Sequence, residues 1–146
     1  MKFAVAGLPR SRTKWASVFL STPDCPVLHD THPDTFKDAC AVSSPLVISH
    51  YDRIPEGTKI AYIDRPFSEV FESSEVFGMG DAAAELELYK HELFKDRKVK
   101  VFDFHNLDAA ALWKFCHGTE ISKEYIKVFD DMNIVQKQMD TFRGVS

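Results

Sequence analysis

The stretch that decides the fold lies at the start of the chain: Phe3-Ala-Val-Ala-Gly-Leu-Pro-Arg-Ser-Arg-Thr-Lys-Trp15. It opens with an apolar run, which is typical of a buried strand, and Gly7 and Pro9 then signal a turn. From Thr13 onwards, apolar side chains recur at helical spacing. A strand, a tight loop and a helix in this order direct the loop N–H groups and the positive end of the helix towards one point. An anion is favoured there.

The polar side chains of this loop point to the same chemistry. Arg10, Arg12 and Lys14 place three positive charges within five residues, and Ser11 and Thr13 add hydroxyls that can donate to phosphate oxygens. The common nucleotide-binding fingerprint, G-x-x-x-x-G-K-[ST], is absent, because Arg12 stands at its second glycine and Lys14 is not followed by Ser or Thr. An ordinary ATPase or GTPase is therefore disfavoured. The alternative interpretation is an ordinary α/β domain whose basic loop is simply solvated.

Size and charge narrow the classes of function. A chain of 146 residues predicts one domain, and 45% hydrophobic with 27% charged residues is typical of a globular protein. The net charge of −4 argues against general nucleic-acid binding, which requires a basic surface. The positive loop is therefore a local feature on an acidic body, which favours a small anionic ligand.

The cysteines and histidines give no metal signal. Cys25, Cys40 and Cys116 are odd in number and scattered, so we expect neither a zinc site nor a disulfide framework, and we infer a reducing cytoplasm. The first strand begins by residue 3, so we expect no signal peptide, and no apolar run reaches membrane-spanning length. His29 and His32, with an aspartate between them, match no metal-ligand spacing and predict a surface loop.

Further apolar runs predict strands over residues 27–28, 46–50, 59–64 and 98–104, alternating with helices. This pattern predicts an α/β fold with a mostly parallel five-stranded sheet in a three-layer sandwich. Ligands of open α/β sheets bind outside the carboxyl ends of the strands. We therefore expect His50, at the end of the third strand, to lie where chemistry occurs. Asp103 and His105, at the end of the fifth strand, are acid/base candidates by position alone, and a loop hydrogen bond is the favoured interpretation of both.

Residues 7–15 resemble the phosphosulfate-binding loop of sulfotransferases, of the form x-P-[KR]-S-G-T-x-W. The matching residues are Pro9, Arg10, Ser11, Thr13 and Trp15. Arg12 departs from the pattern, because the family has glycine there. A side chain at this position either crowds a bound phosphate or itself holds the anion.

Two further segments resemble sulfotransferase motifs. Arg65 follows an apolar strand, and Ser73 lies eight residues later, as in the signature that holds the 3′-phosphate of the donor nucleotide. The proline follows the arginine directly, one position earlier than in the commoner R-D-P form. A helix-starting proline beside a solvated arginine is the alternative interpretation. Ser49-His50 resembles a [TS]-H pair whose histidine acts as catalytic base, although Ile48 replaces the usual basic residue.

The resemblance implies a P-loop kinase-like strand order of 2-3-1-4-5. It also implies transfer of a sulfuryl group from 3′-phosphoadenosine 5′-phosphosulfate, without a metal, to a hydroxyl or amine of a small-molecule acceptor. The implied donor-binding residues are Pro9, Arg10, Ser11, Arg12, Thr13, Lys14, Trp15, Arg65 and Ser73, and the implied catalytic residues are His50, Arg10 and Lys14. The alternatives are a non-catalytic nucleotide-binding or protein-interaction remnant of the fold, and a small-molecule or nucleotide kinase. We assign residues 1–146 to one domain, with 133–146 as a loosely packed tail.

Overall fold

A computed structural model of the chain describes residues 1–131. Its centre is a sheet of five parallel strands in the order β2-β3-β1-β4-β5. The predicted α/β class and strand order are therefore confirmed. The strands are β1 (Phe3–Gly7), β2 (Val27–His29), β3 (Ala41–Ser43), β4 (Lys59–Asp64) and β5 (Val99–Asp103).

Within residues 1–131, helices and two 3₁₀ turns flank the sheet. The helices are α1 (Thr13–Leu20), α2 (Leu46–Ser49), α3 (Phe67–Glu75), α4 (Gly80–Asp96) and α5 (Ala109–His117), and the turns span Pro33–Asp38 and Tyr51–Arg53. Residues 123–131 are helical as well. No helix within residues 1–131 combines the length and the apolar character needed to cross a bilayer.

The sheet is covered on both faces, because successive strand residues point to opposite sides. Phe3 and Val5 pack with apolar residues of α1 and α5. Ala4 and Ala6 pack with those of α2, α3 and α4. This arrangement confirms the predicted three-layer α/β/α architecture, and it explains why β1 is apolar at every position.

The predicted third strand over residues 46–50 is wrong. The strand β3 ends earlier, at Ser43, and Leu46–Ser49 form the short helix α2. The Ser44 hydroxyl accepts a hydrogen bond from the Leu46 amide, the first of this helix, at 3.1 Å. His50 therefore ends a helix and not a strand.

The expectation of no disulfide is also wrong, because Cys25 and Cys40 are bonded to each other. Cys25 lies just before β2 and Cys40 just before β3, and these strands are parallel neighbours. The third cysteine, Cys116, is a buried free thiol. The predicted tail, 133–146, lies outside the described residues.

Candidate functional site

The loop between β1 and α1 lies at the carboxyl edge of the sheet and is unusually constrained. Arg10 has φ 68° and Arg12 has φ 67°, both in the left-handed region. This conformation costs roughly 1–2 kcal/mol for a residue with a side chain. Such strain persists only where the surroundings impose it, and it is concentrated at functional sites. The backbone at position 12 also explains why a glycine suits this point of the loop.

The N-cap residue of α1, Arg12, makes no side-chain cap hydrogen bond within residues 1–131, so the leading N–H groups of this helix are not capped from that position. Ser11, directly before it, is fully buried, and its hydroxyl has no hydrogen-bond partner among the described residues. Buried hydroxyls normally have a partner, so this one is a candidate ligand contact. Lys14 lies on the first turn of α1 and is exposed.

Arg12 is directed along α1. Its guanidinium lies over the Trp15 ring, 4.0 Å from the centroid. Burial lowers the pKa of the Arg12 side chain to about 10, while the Asp130 carboxylate acts in the opposite direction. The side chain therefore stays charged at neutral pH. Trp15 in turn donates its indole N–H to the Phe129 carbonyl at 3.0 Å, which attaches this helix to residues 123–131.

Arg65 joins the two predicted anion-binding segments. It is 8% exposed, and its Nη1 donates to the Arg10 carbonyl at 2.8 Å. This contact is possible because β1 and β4 are neighbours, so that the residues after each strand meet at one edge. Ser73 lies on the buried side of α3, and its hydroxyl also has no partner within residues 1–131.

Sequence reasoning missed the partner of Arg65 on α3. Glu69 lies 3.5 Å from Arg65 Nε through one carboxylate oxygen and 2.8 Å from His105 Nε2 through the other. The hydrogen bond from His105 is the main cause that holds the pKa of Glu69 below its ordinary value of 4.5. The spacing of four residues between Arg65 and Glu69 was the available signal.

A second polar network lies on the other side of the loop, at the ends of β2 and β3. The Ser43 hydroxyl donates to the Thr13 carbonyl at 2.6 Å, and the Ser43 carbonyl lies 2.8 Å from His29 Nδ1. His29 Nε2 lies 2.9 Å from an Asp30 carboxylate oxygen. The prediction of an ordinary surface loop missed this network, because it placed the end of β3 at His50.

His50 lies apart from the loop. With α2 and α4 it lines a groove of about 360 Å³, and none of residues 8–14 lines that groove. Its Nδ1 lies 2.9 Å from the Ser49 hydroxyl. The next residue, Tyr51, accepts a hydrogen bond from Arg97 at 3.0 Å, and Arg97 lies just before β5 begins. The chain after His50 thus approaches the amino edge of the sheet. A catalytic role for His50 was expected from a position at the end of a strand, and His50 does not hold that position.

Comparison with protein-family models, curated proteins and solved structures finds no match for this chain. Helix N–H groups, buried hydroxyls and a cluster of arginines are the donors that hold phosphate and sulfate groups in proteins.

Proposed function

We propose that this chain binds 3′-phosphoadenosine 5′-phosphosulfate at the carboxyl edge of the sheet and transfers its sulfuryl group to a hydroxyl or amine of a small acceptor. The observation that carries the proposal is the 2.8 Å hydrogen bond from Arg65 Nη1 to the Arg10 carbonyl. It brings together two segments that resemble, separately, the 5′-phosphosulfate and 3′-phosphate signatures of sulfotransferases. A ligand with two separated anionic groups fits such a pair of segments.

The buried hydroxyls support the same ligand. Ser11 and Ser73 lie in different segments, each is at most 1% exposed, and neither hydroxyl has a partner within residues 1–131. In our proposal the amides of residues 10–14 and Ser11 hold the 5′ group. Arg65 and Ser73 hold the 3′-phosphate. Pro9 shapes the turn, and Trp15 fixes α1 through its bond to the Phe129 carbonyl.

Sulfuryl transfer, like phosphoryl transfer, depends chiefly on positioning and on stabilising charge that develops on oxygen. The donor supplies the sulfuryl group. Arg10 and Lys14 offset the charge on the bridging oxygen of the leaving group. The proposal needs no metal, because these side chains supply the positive charge.

A second candidate function is non-catalytic binding of the same nucleotide. It is favoured by the position of His50, which lines the groove between α2 and α4 and not the loop. In this case the chain would hold the nucleotide without transferring its sulfuryl group. A small-molecule or nucleotide kinase is the third candidate, and the absent G-K-[ST] pattern disfavours it.

The proposed partners are the nucleotide donor and a small acceptor, without nucleic acid or membrane. A cytoplasmic location was inferred from scattered, unpaired cysteines. The Cys25–Cys40 disulfide removes that basis, since disulfides persist mainly in oxidising compartments. Location in the cytoplasm stays a prediction, and no feature of the fold depends on it.

The experiment that tests the proposal is a calorimetric titration of the purified chain with 3′-phosphoadenosine 5′-phosphate and, separately, with ATP. We expect binding of the bisphosphate and at least about tenfold weaker binding of ATP, which lacks the 3′-phosphate. Ser73→Ala should weaken bisphosphate binding by about 1–2 kcal/mol through the loss of a hydrogen bond to a charged group. Ser68→Ala, an exposed serine on the same helix, is the matched control.

Three results would contradict the proposal: no binding of the bisphosphate, tighter binding of ATP, or equal affinities of the Ser73 and Ser68 variants. Binding without turnover would favour the second candidate function. His50→Ala should keep the wild-type affinity and turnover, because the imidazole lies outside the proposed site.

A further inference from the structure

The side of the loop opposite Arg65 offers a place for the acceptor. The strand β1 lies between β4 and β3, so the loop after β1 has one flank on each side. In the proposed function, on which this inference rests, Arg65 and Ser73 occupy the β4 flank and hold the nucleotide. The sulfuryl end, at the loop itself, is then approached from the β3 flank.

The β3 flank is joined to the loop by direct contacts. Ser43 donates to the carbonyl of Thr13, the first residue of α1, at 2.6 Å. The Ser43 carbonyl can only accept, so His29 Nδ1 donates to it over 2.8 Å. The opposite ring nitrogen, Nε2, lies 2.9 Å from one carboxylate oxygen of Asp30, which can likewise only accept, so both ring nitrogens act as donors in this arrangement. A continuous series of polar contacts therefore links the start of α1 through Ser43 and His29 to Asp30.

Asp30 is held in place and yet reaches solvent. Its second carboxylate oxygen accepts from the Ser44 hydroxyl at 3.2 Å. Its backbone has φ 53°, a left-handed conformation that directs the side chain and that few residues tolerate. The Asp30 side chain is 62% exposed, against 21% for His29. Each oxygen keeps a lone pair for a further donor, so the carboxylate is oriented and accessible at once.

We infer that Asp30 takes the proton from the acceptor hydroxyl or amine, and that His29 is the positioning residue that orients its carboxylate. In the step, a new bond forms between the acceptor oxygen or nitrogen and sulfur, while the acceptor proton moves to an Asp30 oxygen. The bond between sulfur and the bridging oxygen of the donor breaks, and the electron pair leaves with 3′-phosphoadenosine 5′-phosphate. Atoms and charge balance without an oxidant or reductant.

Two other candidates within residues 1–131, His105 with its partner Glu69 and His50, fit this role less well. His105 and its partner Glu69 lie on the Arg65 flank, where the nucleotide is proposed to bind. His50 lines a groove that none of the loop residues 8–14 reaches. Asp30 is tied through Ser43 to the start of α1 and lies on the flank that the nucleotide leaves open.

The test uses Asp30→Asn, because asparagine tolerates the left-handed conformation and keeps an oxygen for the Ser44 hydroxyl. Asp34→Asn is the matched control: its side chain is 69% exposed and contacts His32 and Arg53, away from the loop. Affinity for 3′-phosphoadenosine 5′-phosphate is measured by calorimetry. Turnover of 3′-phosphoadenosine 5′-phosphosulfate is measured with water, 4-nitrophenol and glucosamine as acceptors, as release of the bisphosphate.

We expect Asp30→Asn to keep the bisphosphate affinity within about twofold and to lower kcat at least about 100-fold, the usual size of a general-base contribution. His29→Asn should lower kcat by about tenfold with the donor KM unchanged, whereas a merely structural role would weaken donor binding too. Asp34→Asn should match the wild type. Circular dichroism and urea unfolding confirm that each variant is folded.

Wild-type turnover retained in Asp30→Asn would overturn the inference. So would a wild-type chain that binds the bisphosphate but releases none with any of the three acceptors. A loss of bisphosphate affinity in Asp30→Asn would assign the residue to donor binding, which also contradicts the inference. No bisphosphate binding by the wild type would instead refute the proposed function itself.

Discussion

At the scale of single residues, Gly7 is the point where the loop depends on the absence of a side chain. A Cβ added there would lie 3.1 Å from the Ile63 carbonyl oxygen and 3.3 Å from Ser11 Cβ. The first contact is with backbone of the neighbouring strand, which cannot move aside without disturbing the sheet. The second is with the residue whose buried hydroxyl is proposed to hold the ligand.

We therefore predict that Gly7→Ala destabilises the chain by about 1–3 kcal/mol, as overpacking does, and weakens bisphosphate binding more than tenfold. Urea unfolding and calorimetry measure the two effects. Gly57→Ala is the control: its φ of 82° makes alanine costly, but nothing lies within 4 Å of the added atom, far from any ligand contact. The Gly57→Ala variant should have a lower free energy of unfolding and an unchanged affinity for the bisphosphate. Unchanged affinity in Gly7→Ala would contradict the proposed role of the loop.

His117 is a second residue whose surroundings fix its chemistry. Its Nε2 lies 2.8 Å from the Leu20 carbonyl, to which it donates, so that Nδ1 accepts from Lys2 Nζ at 3.0 Å. The ring also packs against Phe3 and Trp113. Burial is the main cause that holds the pKa of His117 below its ordinary value of 6.5, and the nearby lysines act in the same direction.

The sign of the pH effect follows from this shift. The unfolded chain binds the His117 proton more readily than the folded chain, so the contribution to stability is present above about pH 6.5 and is lost as the pH falls through the lower folded-state pKa. We predict that the free energy of unfolding, measured with urea, decreases from pH 7.5 to pH 5. His117→Gln should reduce this decrease, while His91→Gln, at an exposed position, should not. Identical pH slopes for both variants would refute the assignment.

At the scale of elements, the disulfide fastens two parallel strands where both begin. Cys25 and Cys40 are 15 residues apart, and closing a loop of that length in the unfolded chain stabilises the fold by about 3 kcal/mol. We predict that the Cys25→Ser, Cys40→Ser double variant loses about this amount in urea unfolding. The wild type in dithiothreitol should match it.

The third cysteine supplies the control for that measurement. Burial raises the pKa of the Cys116 thiol to about 12, so it should not react with iodoacetamide until the chain unfolds. In denaturant without reductant, the mass should increase by one carbamidomethyl group per chain. Three groups under these conditions would show that Cys25 and Cys40 are not bonded.

The element that sequence reasoning misassigned shows where a pattern is ambiguous. The apolar run at residues 46–48 is short, which fits a buried strand and a buried helical turn equally well. Pro45 before them has φ −58° and ψ −26° and starts a helix, a position that proline favours. The true strand, Ala41–Ser43, is too short to stand out. This one error placed His50 at the end of the third strand, which in fact ends at Ser43.

The remaining elements were predictable because their signals were local. Lys59–Asp64 is a strand with the predicted bounds, and Asp108 caps α5 by accepting from the Ala111 amide at 3.0 Å. The nearness of the loop and Arg65 followed from strand order. The network of His29 and Asp30 was not predictable in this way, because it depends on the residue at which β3 ends. The disulfide likewise depends on β2 and β3 being neighbours.

At the scale of the whole molecule, the arrangement of charge predicts that a small anionic ligand binds and that nucleic acid does not. The chain carries a net charge of −4, while three cations lie within residues 10–14, in the loop after β1 and the first turn of α1. A bisphosphate is small enough to meet only these cations. A DNA duplex extends over tens of ångströms and would also face the acidic body, which repels it.

This difference gives a prediction for ionic strength. The Debye length falls from about 10 Å at 0.1 M salt to about 3 Å at 1 M, so calorimetry should show at least about tenfold weaker bisphosphate binding in 1 M NaCl. Lys14→Gln should reduce the salt dependence, because the exposed Lys14 ammonium is the part of the loop's charge most open to screening. Lys123→Gln, also exposed, should leave the salt dependence unchanged.

A fluorescent 20-base-pair duplex should not bind at 0.1 M NaCl. Duplex binding, or a bisphosphate affinity independent of salt, would show that the charge of the loop does not select the ligand.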